Sequence, residues 1–185
     1  MVVLLCIALP MRAEPTDVAA LEVARGEQGL LLSAQVRFEL PSPVEDALLK
    51  GIPMVFVAEA TVLRERWYWY DKEVAHAERY MRLSYQPLTR RWRLQAASGP
   101  ISTSGLSLGQ NFETQEEALG AVQRIANWRI SEPGEVDADA RHLVVLRFRL
   151  DVSQLPRPFQ IGVVGQSDWS ISAVRAVRLS PEPAK

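Results

Sequence analysis

The chain has one cysteine and two histidines in 185 residues, and each scarcity excludes a class of chemistry. Cys6 alone cannot build a disulfide framework or a cysteine-based zinc site. His76 and His142 are too few for the histidine sets that catalytic zinc favours. Lysine is almost missing too: Lys50, Lys72 and Lys185 are the only three, so arginine carries the positive charge. That charge is balanced. A formal net charge of -1 gives no global attraction to nucleic acid or anionic membranes.

Long apolar runs are also absent. Val2 to Leu9 is apolar throughout but stops at Pro10, far short of the roughly 20 residues a membrane-spanning helix needs. With Met11-Arg12-Ala13 after it, the run reads as the core of a signal peptide cleaved near Ala13. No basic residue precedes it and Met11 is not small, so a ragged N-terminal strand is the alternative. Leu5 before Cys6 is not the small residue of a lipid-anchor site. Residues 1–13 are therefore expected to be a signal peptide and residues 14–185 one β-rich domain, periplasmic or secreted.

What is present is alternation. A hydrophobic share of 48% against 23% charged residues describes a globular chain. Leu32, Ala34, Val36, Phe38 and Leu40 alternate with Ser33, Gln35, Arg37 and Glu39, a half-buried strand, and a strand at 20–24 precedes it. In "PSPVEDALLKGIP", Ser42 with Glu45 predicts a capping box, Pro43 a first turn, and Gly51 with Pro53 a stop. Met54 to Tyr70 runs without a breaker, too long for one strand unless a bulge interrupts it. Parity along it groups Trp67 and Trp69 with Val55, Val57 and Leu63 as a core-capping set. Tyr68 and Tyr70 fall with Arg64 and Arg66.

Strands at 80–86 and 90–95 flank Pro87-Leu88-Thr89, with Met81, Leu83, Tyr85, Trp92 and Leu94 inward. The Ser- and Gly-rich 96–111 segment reads as a mobile loop. Thr114 with Glu117 caps a second helix whose apolar stripe is Ala118, Val122, Ile125 and Ala126. "SEPGEVDADA" reads as a solvated loop, and strands follow at 143–152, 160–164 and 169–179. Strands dominate and no βαβ alternation appears. The expected fold is mainly β: an antiparallel β-sandwich with two short inserted helices, at about 43–50 and 115–128.

"LPSPVEDALLKGIP", "YQPLTRRWRL", "LGQNFETQEEAL" and "FRLDVSQLPRPFQI…DWS" together resemble an exported proteobacterial family known as domain of unknown function 4390. The resemblance covers about Val18 to Ser180 and carries no catalytic motif. It implies a partner in the cell envelope, such as a membrane sensor kinase.

Four candidate chemistries remain. "GLSLG" (Gly105 to Gly109) with Asp137, Asp139 and His142 matches the order of an α/β-hydrolase built on Ser107, yet lacks the strand-to-helix turn on a parallel sheet that the motif requires. "DKEVAH", with Glu78 beyond, offers carboxylates to calcium but reads more simply as a charged turn. The Arg–aromatic interleaving of "RERWYWY" and "TRRWRL" superficially suits nucleic acid, against which stand the interleaved acids, the net charge and export. The fourth is a basic sheet face. Arg64, Arg66, Arg82, Arg91, Arg93, Arg147 and Arg149 share an outward parity that suits an acidic partner or small anionic ligand, or else ordinary cross-strand pairs. The expectation is a non-enzymatic envelope binding module without metal, cofactor or nucleic acid, touching its partner through Arg64, Arg66, Tyr68, Tyr70, Arg91 and Arg93. A Ser107 hydrolase and a purely structural envelope protein are the alternatives.

Overall fold

The alternating residues build two antiparallel sheets. A computed structural model describes residues 16–68, 70–101, 109–155 and 169–181. The first hairpin pairs β1 (Asp17–Gly26) with β2 (Gly29–Arg37) across Glu27 and Gln28. Gly29 has φ +100°, and a Cβ there would meet the Ser131 carbonyl, so two constraints select glycine. Helix α1 (Ser42–Leu49) leads to β3 (Met54–Arg64), β4 (Lys72–Gln86), β5 (Arg91–Ala97) and β6 (Gly109–Phe112). Helix α2 (Gln115–Gln123), β7 (Arg124–Arg129), β8 (His142–Leu150), a 3₁₀ turn (Val152–Gln154) and β9 (Ser172–Leu179) complete the order. The large sheet runs β6-β5-β4-β3-β8-β9 and the small one β1-β2-β7.

The core lies between the sheets. Phe56, Ala58, Ala60 and Val62 of β3 face Leu32, Ala34 and Val36 of β2, with Leu146 and Phe148 beside them, all buried. Phe38, Phe56 and Phe148 gather with ring centroids 5.4 to 5.9 Å apart. Burying such a side chain contributes about 1.5–3 kcal/mol. The inner face of β3 is thus the even-numbered one. Val55 and Val57, expected on the core side, are buried instead on the outer face with Tyr80 and Ile101. Along one side, β9 lies against β1, and the Arg175 guanidinium donates to the Val18 and Ala19 carbonyls. On the other side β6 and β7 do not pair, and α2 bridges the gap.

Several boundaries depart from expectation for local reasons. Pro41, not Ser42, stands at the α1 cap without a side-chain hydrogen bond. Glu45 Oε1 instead accepts from Gln115 Nε2 at 2.8 Å and ties α1 to α2. Gly51 does end α1, at φ +83°, with Ile52 N–H donating to the Ala47 carbonyl. The Thr114–Glu117 capping box forms as expected, but α2 stops at Gln123 rather than near 128. Ile125 and Trp128 enter β7, pairing with Ala34 and Leu32, because β2 would otherwise leave its backbone edge open. Asn127 takes φ 46° at the irregularity in that pairing.

The β3–β4 pairing is irregular at Val62/Leu63, but the extra residue there is Val74 of β4; β3 runs without the expected bulge and ends at Arg64, before the aromatic run. "DKEVAH" is not a turn: Asp71 precedes the strand and Lys72 onward is β4. Ser131, in the segment expected to be solvated, is buried and its Oγ accepts from Leu30 N–H at 2.9 Å. Ala96 and Ala97 are strand residues, as are Gly109 to Asn111. The expected strand at 160–164 lies outside the described residues.

Candidate functional site

The tip joining β3 to β4 concentrates the exposed aromatics. Trp67 is 92% exposed, Tyr68 68% and Tyr70 89%. The expectation that Trp67 caps the core fails: β3 ends at Arg64, and Trp67 beyond it is exposed. Trp69 lies outside the described residues. Trp67 and Tyr68 meet edge-to-face, with centroids 5.0 Å apart, and the Arg66 N–H donates to Asp71 Oδ1. Arg64 pairs with Asp137 at 3.3 Å, and Arg178 with Glu65 at 3.1 Å, bracing the base of the tip.

The six surface residues do not form one patch. Arg64, Arg66, Tyr68 and Tyr70 cluster at the tip, where Arg64 lies opposite Lys72. Arg93 and Arg91 lie opposite Ser84 and Gln86 at the far end of β4. Twelve residues separate Lys72 from Ser84, about 40 Å at roughly 3.3 Å each. Arg64 also continues the inner-face alternation of Phe56 to Val62, whereas Arg91 and Arg93 point to the outer face, opposite Trp92 and Leu94. Parity alone could not see where a strand ends. Of the other outward arginines, Arg147 pairs with Glu59 and Arg149 with Asp151, each at 3.6 Å. Burial pushes the Asp151 carboxyl up. Hydrogen bonds from Ser153 and Gln154 and the charge of Arg149 outweigh that and hold it below its ordinary value.

A second candidate site lies apart from the tip. On the open side, the inner faces of β4, β5 and β6 and one face of α2 enclose a groove of about 830 Å³. Met81, Leu94 and Phe112 form its apolar floor, and Gly120 and Ala121 one wall. Arg79 lies on the inward face of β4 between Ala77 and Met81, paired with Ala58 of β3. Its guanidinium has no hydrogen bond or ion pair among the described residues. Burial alone lowers its pKa, which still leaves it charged. One signal was in the sequence: Arg79 shares the parity of Met81 and Leu83 within one strand.

His142 opens β8 at 1% exposure, beside Arg64 and near Arg25. Burial is the main cause that lowers its pKa. Arg25 and Arg64 act the same way, while the Ala140 carbonyl and Asp137 pull upward. Neither ring nitrogen meets a carboxylate; Asp137 pairs with Arg64 and accepts from Asp139 N–H instead. Ser107 lies outside the described residues. No three His, Cys, Asp or Glu side chains among the described residues converge as a metal set. No helix among them is long and apolar enough to cross a membrane.

The architecture is that of a mainly β domain of two antiparallel sheets with two short helices. The chain belongs to the family described as domain of unknown function (DUF4390), which matches it over residues 13–178. No curated protein and no solved structure matches it.

Proposed function

We propose that this chain is a non-enzymatic module of the bacterial envelope that docks the β3–β4 tip onto a protein partner. The observation that carries the reading is the exposure of Trp67, Tyr68 and Tyr70 together beside Arg66. Tyrosine, tryptophan and arginine dominate the energetics of protein interfaces, because rigid amphipathic rings desolvate well at small entropic cost. Single exposed hydrophobic side chains are ordinary, but three on one turn are a patch. The strands at its base hold the patch in place through the Arg64–Asp137 and Arg178–Glu65 pairs. The enclosed ring of His142 supports a binding role over hydrolysis, since a general base must reach its substrate. The apolar N-terminal run supports export, and the family resemblance makes a membrane sensor kinase the first partner to test.

The test is affinity capture from a periplasmic extract, with the periplasmic portion of that kinase as the named candidate. The double variant Arg66→Glu, Tyr68→Ala is expected to reduce recovery at least tenfold while melting like the parent. Equal recovery by parent and variant would contradict the reading.

A further inference from the structure

We propose that the groove on the open side of the sandwich is a binding site for an amphipathic anion, a carboxylate or phosphate head on an apolar tail, with Arg79 as its anchor. An arginine on the inward face of a sheet loses hydration and is normally compensated by a carboxylate. Arg79 has no such partner among the described residues. Among the described residues Glu117 is the one carboxylate on the groove wall, and its Oε2 accepts from the N–H groups of Glu113 and Thr114 at the start of α2. Arg124 lines the same groove and is likewise without a partner among the described residues. Two cations therefore share a groove whose single acid is engaged elsewhere.

Ala96, Gly109, Gly120, Ala121 and Ala126 line the groove with small side chains over the floor of Met81, Leu94 and Phe112. Gly120 sits inside α2, where glycine is among the least favourable residues, and a Cβ added there would meet nothing within 4 Å. No backbone or packing constraint selects it; space beside it does. Pockets of about 300–1,000 Å³ with apolar walls and a few polar anchors are the usual form of small-molecule sites. An apolar floor beneath two unpaired guanidinium groups selects a ligand with both a tail and a negative head.

Calorimetric titration of the full chain with dodecyl phosphate and with dodecanoate tests this, with inorganic phosphate and dodecyl maltoside as head-only and uncharged controls. One-to-one binding of at least one amphipathic anion is expected, tighter than either control by tenfold or more. Preference between the two amphiphiles distinguishes a phosphate-headed from a carboxylate-headed ligand. Arg79→Met keeps the apolar stem and is expected to weaken binding at least tenfold while raising the melting temperature. An arginine with only a structural role would lower it. Gly120→Trp fills the groove from the surface of α2 and is expected to abolish binding with Arg79 intact. Absence of saturable binding, equal binding of dodecyl maltoside, or unchanged affinity in both variants would overturn the proposal.

Discussion

His142 shows how one residue ties stability to pH. Its ring is enclosed at the end of β8, and burial, reinforced by Arg25 and Arg64, holds its pKa below the ordinary value of about 6.5. In the unfolded chain the ring takes up a proton more readily than in the folded one. The stability it contributes is therefore fully present above pH about 6.5 and is lost as pH falls through the depressed folded value. Melting temperature is expected to drop on acidification from pH 7.5 to 5, and less so in His142→Leu. An equal drop in parent and variant would assign the acid sensitivity to other groups. Gly29 is a second residue with a definite prediction. Gly29→Ala forces a Cβ onto the Ser131 carbonyl at φ +100°, so a loss of about 1–3 kcal/mol is expected by chemical denaturation. The constraint is a carbonyl about a hundred residues away in the chain, which no local pattern around Gly29 makes legible.

At the scale of the element, strong local chemistry was legible and competition between elements was not. Thr114 and Glu117 announce α2, and the structure forms both halves of their capping box. Thr114→Ala is expected to cost about 1 kcal/mol in equilibrium unfolding. The end of α2 was misjudged because Ile125 satisfies a helical stripe and a strand equally well. Only the open edge of β2 decides between them, and that edge belongs to another part of the chain. Ile125→Ala removes a buried anchor of β7 and is expected to cost about 2–5 kcal/mol. β3 makes the same point in reverse. The run Met54 to Tyr70 was legibly too long for one strand, but β3 resolves it by ending and not by bulging, and its last residue depends on where β4 and β8 cease to pair. Arg64, Arg66, Tyr68 and Tyr70 were legible as a group for that reason, while Arg91 and Arg93 were grouped with them by parity across strands of unknown register.

The whole molecule has two unlike sides and one unlike end. Arg175 fastens β9 to β1 along one side. The opposite side stays open between β6 and β7, with α2 across it and Arg79 inside. The end at β3–β4 carries the aromatic tip, and the far end carries the turn at Leu88, which is 100% exposed. Antiparallel pairing and a mainly β core followed from alternation alone. Which edges met and which stayed apart did not, because edge contacts join residues that share no local pattern. The central claim is that the tip, and not the general surface, meets the partner. Photo-crosslinking in living cells tests it most directly, with a benzophenone amino acid placed at Tyr68, Tyr70 or Leu88 in turn. The account predicts a discrete higher-mass adduct from positions 68 and 70 and none from 88; adducts from 88 alone, or from none of the three, would contradict it.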